Sequence, residues 1–347
     1  MIHVSAAPVE SVSWQTLLAA SITDPAELLQ RLGLSQSLLS ATIAASKDFA
    51  LRVPEPYLAL MRHGDLHDPL LRQVLPLGEE LAEQPGYGVD PLGEQQANAR
   101  PGIIHKYHGR LLLVVSGGCA VNCRYCFRRH FPYADNALST SEWQEALDYI
   151  RGDESIAEVI YSGGDPLAAN DRRLAWLTRE IAAIAHVRRL RVHTRLPVVI
   201  PQRITPALLD ALCGTRLPVT MVLHCNHANE IAGDLPGAIR ALRAAGITLL
   251  NQAVLLRGVN DTLADQIALS ESLGDHGVLP YYLHVLDRVR GAKHFHVPDD
   301  QAKTLVGRMM TRLPGFLVPR LVREVAGESG KVPLPVSLLV DQPVALD

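Results

Sequence analysis

Apolar residues recur along this chain in two rhythms. Between Trp14 and Leu32, and again between Ser35 and Ala50, they return every three or four positions, the spacing of helices buried along one face. Residues 64–100 lose that rhythm and carry Pro69, Pro76, Gly78, Pro85, Gly86, Gly88, Pro91 and Gly93, the punctuation of loops. From about residue 108, short apolar runs alternate with helical stretches. The runs cover 110–116, 157–162, 189–194, 218–224, 247–256 and 278–284, and the helices 141–152, 171–185, 205–213, 236–245 and 262–275. Ser141 and Gln144 have capping-box spacing, and Thr205 followed by Pro206 reads as an N-cap and first helical residue. Six strands alternating with helices predict parallel βα units, too few for a closed eight-stranded barrel. The fold class is α/β, a partial (β/α)6 parallel barrel, with chemistry gathered at the C-terminal ends of the strands. The pattern divides the chain into a helical N-terminal region (1–100), the barrel (101–290) and a C-terminal segment (291–347).

Composition narrows the function. The 347 residues are 48% hydrophobic and 20% charged, with a net charge of −3. No single-sign field points to nucleic acid or an anionic membrane. The longest apolar runs, such as Leu111–Val115, fall far short of the roughly 20 residues that span a bilayer. Met1–Glu10 lacks the basic end and apolar run of a signal peptide. The expectation is a cytoplasmic enzyme acting on a small molecule.

The cysteines are numbers 119, 123, 126, 213 and 225, an odd count that argues against a disulfide framework. Three of them lie in Ser116-Gly-Gly-Cys-Ala-Val-Asn-Cys-Arg-Tyr-Cys-Phe127, directly after the first barrel strand. Thiolates are the usual ligands of iron–sulfur clusters, and three of them leave one iron of a 4Fe-4S cubane open to an outside ligand. A structural zinc wants four ligands, and His130 is the nearest fourth. Cys213 and Cys225 read as packing residues. After the second strand comes Ser162-Gly-Gly-Asp165, whose glycines permit close backbone approach but which alone is only a turn.

Combined with the cysteine triplet, this motif resembles the S-adenosylmethionine amine site of radical enzymes. Further ordered matches follow: Tyr107–Arg110, Arg128-Arg129, Thr194–Pro206, His224–Ile231, Asn251–Asp261, Pro280–Tyr282 and Gly330–Pro333. Taken together the chain resembles the lysine 2,3-aminomutase family of radical S-adenosylmethionine enzymes. Its short N-terminal region, and the lack of any cysteine after Cys225, are similar to the compact branch that serves elongation factor P; the longer free-lysine enzymes carry C-terminal, zinc-binding cysteines.

The resemblance implies a site. Cys119, Cys123 and Cys126 hold the cluster. S-adenosylmethionine chelates its open iron, with Gly163, Gly164 and Asp165 at the amine and His224 and Gln252 nearby. Lys331 is the catalytic lysine that carries pyridoxal 5′-phosphate. Lys106, where relatives have arginine, binds the phosphate with Tyr107 and Arg110, and Arg195 is a further cofactor contact. Arg128 clamps the substrate carboxylate in two-point fashion, while Arg129 belongs to a solvated basic run. Asp287 and Glu324 take the far amine of lysine, Glu324 standing where free-lysine enzymes have aspartate. The implied reaction turns L-lysine into β-lysine with an external one-electron reductant, and a separate ligase attaches the product to elongation factor P. A homodimer is expected, with residues 1–100 making oligomer contacts or covering the site. The alternatives are a free-lysine aminomutase of metabolism, an aminomutase for another amino acid such as glutamate, which Asp287 and Glu324 oppose, and an iron–sulfur electron-transfer protein, which four cysteine ligands would suit better.

Overall fold

Each successive βα unit adds its strand to the same edge of one sheet. A computed structural model describes residues 12–336. Its strands are β1 (Asn98–Arg100), β2 (Ile103–Tyr107), β3 (Arg110–Ser116), β4 (Glu158–Gly163), β5 (Arg189–Thr194), β6 (Val219–Leu223), β7 (Thr248–Leu255), β8 (Leu279–Val285), β9 (Arg320–Arg323) and β10 (Val332–Pro333), in that spatial order. β3 to β9 run parallel, while β1 and β2 at one end and β10 at the other pair antiparallel. Among the described residues nothing pairs β1 with β10, so the barrel stays open. The six expected strands are β3 to β8. The expected helices fall at Thr140–Gly152, Asp171–Ala182, Pro206–Cys213, Leu235–Ala244 and Leu263–Asp275. β1, β9 and β10 escape the apolar pattern because four residues or fewer cannot display a period of two, and β2 escapes it because Ile103-Ile104-His105-Lys106 does not alternate.

Local chemistry explains the boundaries. The cap of the helix over 140–152 is Ser139, not Ser141: its hydroxyl accepts from the Glu142 N–H, and the Glu142 carboxylate accepts from the Ser139 N–H at 2.7 Å. Glutamate holds that return bond better than Gln144, because it is charged and sits at the positive helix end. Thr205 caps the helix that begins at Pro206, as expected. The apolar stretch from Trp14 breaks into two helices, Trp14–Ala19 and Pro25–Arg31, because Asp24-Pro25 starts a new one and Ile22 pairs with Val53 instead.

The barrel strands alternate in burial. In β5, Leu190, Val192 and Thr194 are buried, while Arg191 and His193 are only partly so; in β7, Leu249, Asn251, Ala253 and Leu255 are buried between half-buried Leu250, Gln252 and Val254. Strands covered on both faces normally read as unbroken apolar runs. Here one face joins a core with the helices, through Leu174, Leu177, Leu208, Ile239 and Leu242, and each large apolar side chain there contributes about 1.5–3 kcal/mol. The other face lines a cavity. That core continues without interruption from Trp14 to Leu334.

The loop after β3 has no ladder of its own, so other segments satisfy its backbone. Gly164 N–H donates to Ser116 O and Asp165 N–H to Gly118 O, both at 2.8 Å. From the N-terminal region, Gln73 O accepts the Arg124 N–H at 2.9 Å, Arg52 O accepts the Asn122 N–H at 3.2 Å, and Arg52 donates to Cys119 O at 3.2 Å. Glu80 pairs with Arg124 at 2.6 Å and with Arg129 at 3.0 Å, and all three side chains are buried. Arg129 is thus an internal ion-pair partner and not part of a solvated run. Residues 45–82 brace the cysteine loop.

Removing one member of a buried charge cluster costs roughly 3–5 kcal/mol, because its partners stay buried and unpaired. Glu80→Ala is expected to lower the thermal midpoint by at least roughly 6 °C. Ser139→Ala, at an exposed cap, should cost only about 1 kcal/mol. Equal shifts in a thermal melt would refute the clamp.

Candidate active site

The polar face of the barrel encloses a cavity of about 690 Å³. Cys119, Cys123, Cys126, Gly163, Gly164, Asp165 and Arg195 line one part of it, and Lys106, Tyr107, Arg110, Asp287, Glu324 and Lys331 another, with Arg128, His224 and Gln252 also on its wall. All the site residues read from the sequence therefore border one space. His130 is not on that wall, Cys213 ends a helix, and Cys225 is buried just after β6. Eight basic and five acidic side chains face the cavity, which suits anionic groups such as phosphate and carboxylate.

At the cysteine end the backbones meet closely. A Cβ on Gly164 would lie 2.7 Å from the Gly117 and Gly118 carbonyls and 2.9 Å from Cys119 Sγ. Gly163 sits at φ +126°, where a Cβ would be 2.3 Å from Ser116 O. These glycines are required by the contact between the two loops. The Asp165 carboxylate turns toward the protein: it accepts from Thr194 Oγ1 at 2.7 Å, from the N–H groups of Arg195 and Leu196 at 2.8 Å, and from Leu167 N–H at 3.0 Å. Burial pushes the Cys119 thiol up, and the Cys126 thiol up to about 12, so these sulfurs ionise only when a metal takes them. Cys119, Cys123 and Cys126 share one cavity wall with the Gly163-Gly164 turn, and a cubane offers a separate iron to each thiolate. The donor set fits a cluster.

Arg195 does not reach the Lys331 end of the cavity. Its Nη1 lies 2.8 Å from Cys123 Sγ. Tyr125, between the last two cysteines, donates to Gln73 and lies 2.9 Å from His224 Nε2. Burial, and then the charge of Arg195, bring the His224 imidazole down to about 3, so it is neutral.

The opposite end is built by the β9–β10 hairpin. Val332 pairs with Arg323, which sets Lys331 directly across from Glu324. Lys331 Nζ lies 2.8 Å from Glu324 Oε2, Tyr107 Oη donates to Glu324 Oε1 at 2.9 Å, and Lys106 Nζ lies 3.3 Å from the same oxygen. The Arg110 guanidinium stacks 4.5 Å over the Tyr107 ring. Burial alone would raise the Glu324 pKa, but the charges of Lys331 and Lys106 hold it well below the carboxylate range. Asp287, just after β8, is pushed up to about 7 by burial and the Glu324 charge. Two neighbouring carboxyls thus titrate in widely separated ranges, Glu324 ionised and Asp287 holding its proton until about 7. Cations for a phosphate and an amine for an aldehyde stand together here, so the residues fit pyridoxal phosphate.

One partner goes unread in the sequence. Glu94, buried within the loop-rich stretch, receives Arg128 Nε at 2.6 Å and Nη2 at 2.7 Å, and Lys106 lies 3.6 Å away. Arg128 Nη1 donates to Ser162 Oγ at 2.9 Å and Gly163 O at 3.2 Å. The two-point clamp expected of Arg128 is made to Glu94, and among the described residues one of its five N–H groups has no partner. Nothing around Glu94 has helical or strand rhythm; Asp90, which caps its N–H at 2.9 Å, is the local signal. His193 and His284, also unread, lie on β5 and β8 and are held neutral by burial first and then by nearby cations.

The Radical SAM superfamily pattern matches residues 113–231. The L-lysine 2,3-aminomutase of Escherichia coli is 51% identical over 326 residues, 94% of this chain and 95% of that protein. The enzyme of the same name from Haemophilus influenzae is 50% identical, covering 93% and 95%. That from Clostridium subterminale is 32% identical, covering 95% of this chain and 79% of its own. No helix among the described residues is long and apolar enough to cross a membrane.

The raised pKa of Asp287 makes a stability test with a definite sign. An unfolded aspartate titrates near 3.9. The folded carboxyl keeps its proton up to about 7, so its contribution is fully present below about 3.9 and is lost as pH rises toward 7. Asp287→Asn does not titrate. Its thermal midpoint, relative to wild type, is expected to be higher at pH 8 than at pH 5; a constant or inverted difference would contradict the shift.

Proposed function

We propose that this chain, which belongs to the L-lysine 2,3-aminomutase family of radical S-adenosylmethionine enzymes, converts L-lysine to β-lysine by moving the amino group from C2 to C3. It is an isomerase whose 4Fe-4S cluster and S-adenosylmethionine follow from its superfamily, and in this reading it also uses pyridoxal 5′-phosphate. The observation that carries the reading is the single cavity bordered by the cysteine triplet at one end and by Lys331, Glu324 and Asp287 at the other.

The groups, when bound, supply hydrogen abstraction by a carbon-centred radical and an aldehyde that holds the migrating nitrogen. Cys119, Cys123 and Cys126 would hold the cluster. Lys331 is the amine for the aldehyde, and Lys106, Tyr107 and Arg110 would hold the phosphate. Arg128, fixed in plane by Glu94 and Ser162, offers its remaining N–H and its charge to the substrate carboxylate. Glu324 keeps a cation beside it at all times: Lys331 and Lys106 in the structure described, and the substrate ammonium in the complex. Asp287 ionises as that ammonium arrives and releases a proton. The walls exclude water and hold the reacting carbons in one geometry. We place the product with a ligase that attaches β-lysine to elongation factor P, in line with the resemblance to the compact branch.

The decisive experiment is anaerobic reconstitution with iron and sulfide, followed by pyridoxal phosphate, reductant, S-adenosylmethionine and L-lysine. Mass spectrometry should detect β-lysine and 5′-deoxyadenosine, with β-lysine abolished in Lys331→Ala at unchanged iron content. Deoxyadenosine without β-lysine would rule out lysine as the substrate. Neither product would favour electron transfer. Lysine binding has its own expected pH profile. Affinity should fall about tenfold per pH unit below 7, as Asp287 takes up its proton. Asp287→Asn should flatten that dependence and weaken binding at pH 8 by at least about tenfold, measured by calorimetry.

A further inference from the structure

We propose that Arg195 raises the reduction potential of the iron–sulfur cluster by aiming a hydrogen-bond donor and a fixed positive charge at the sulfur of Cys123. The proposal rests on the reading of Cys119, Cys123 and Cys126 as cluster ligands. Nη1 of Arg195 lies 2.8 Å from Cys123 Sγ and also donates to Tyr125 Oη. Nη2 is held by Gln73 Oε1 at 2.7 Å and by Tyr57 Oη and Glu230 Oε2, both at 3.1 Å. The main-chain N–H is tied to Asp165 at 2.8 Å. The residue is 7% exposed. Two segments of the N-terminal region, the loop after β3 and the turn after β6 therefore fix the guanidinium, the loop after β4 fixes its main chain, and among the described residues its one contact with a cofactor ligand is the Cys123 sulfur.

The charge cannot be lost, because arginine does not deprotonate in proteins. Among the described residues the only carboxylate paired with its guanidinium is Glu230. The other oxygen of Glu230 faces away, accepting from Asn226 N–H at 2.9 Å and from His227 N–H and Gln73 Nε2 at 3.1 Å. A one-electron reduction adds negative charge that the ligand sulfurs share. A donor and a cation at one of those sulfurs stabilise the reduced cluster more than the oxidised one. Burial leaves that field unscreened by salt. The electron comes from the external reductant, and no bond or proton at Arg195 changes. Arg195 makes the cluster easier to reduce, and Glu230 opposes it, so removing each charge must move the potential in opposite directions. A purely structural role would not produce that pair of signs.

The test uses the full-length, anaerobically reconstituted protein, with iron and sulfide assayed and the midpoint potential read from the electron paramagnetic resonance signal during redox titration. Arg195→Gln is expected to shift the midpoint negative by about 59 mV or more, the equivalent of a tenfold smaller reduced-to-oxidised ratio at fixed potential. Glu230→Gln is expected to shift it positive. If Arg195→Gln alone does not retain iron, the double variant with Glu230→Gln removes the buried pair as a unit and should still shift negative. A wild-type potential in either Arg195 variant, or shifts of one sign in both single variants, at wild-type iron content, would overturn the proposal. A wild-type protein that yields no 4Fe-4S signal would overturn the cluster reading beneath it, a result read from the iron assay and spectrum before any potential is measured.

Discussion

A loop that places three cysteines within eight residues cannot satisfy its own backbone, and the rest of this molecule is arranged around that constraint. The segment from Ser116 to Phe127 takes its hydrogen bonds from the Gly163-Gly164-Asp165 turn on one side and from residues 45–82 on the other. Glu80 pairs with buried Arg124 of the loop and Arg129 just beyond it, and Gln73 touches the loop's main chain at Arg124 and its Tyr125 side chain. Buried ion pairs of this kind add little net stability, but they are costly to break and so hold one geometry. The N-terminal region is in this sense the second half of the cysteine loop's support.

The same economy of shared groups runs through the cavity. Carboxylates outside the cysteine motif set the state of nearly every cation: Glu94 fixes Arg128, Glu230 partners Arg195, and Glu324 holds Lys331 and Lys106. Because these groups sit in a partly enclosed space, small differences in their neighbours decide which keeps its proton. Glu324, surrounded by cations, is ionised, whereas Asp287, beside Glu324, holds its proton until about pH 7. Two acids serving one amine thereby become chemically unequal.

The position of Lys331 depends on a very small piece of sheet. β9 and β10 supply six residues between them, yet their register puts the lysine across from Glu324. The Glu324 side chain reaches across the hairpin, where its carboxylate meets Lys331, Lys106 and the Tyr107 hydroxyl at once.

Much of this was legible in the chain. Apolar runs separated by helical spacing specify β3 to β8 and their helices, since both periodicities are local properties of the backbone. Cysteine spacing, with Gly163-Gly164, marks one end of the site. The resemblance marks Lys331 and its neighbours at the other. Tertiary structure alone decided the partners. Glu94 and Glu80 lie in stretches without rhythm, and they become functional only because the chain folds back over the barrel; sequence separation hides a contact between residues 34 or 44 positions apart. Arg195 shows the difference most directly. The resemblance marked it as a cofactor contact, but that its guanidinium lies against the Cys123 sulfur comes from the packing of Tyr57, Gln73, Tyr125 and Glu230 around it, because a side chain's direction depends on what surrounds it and not on what precedes it.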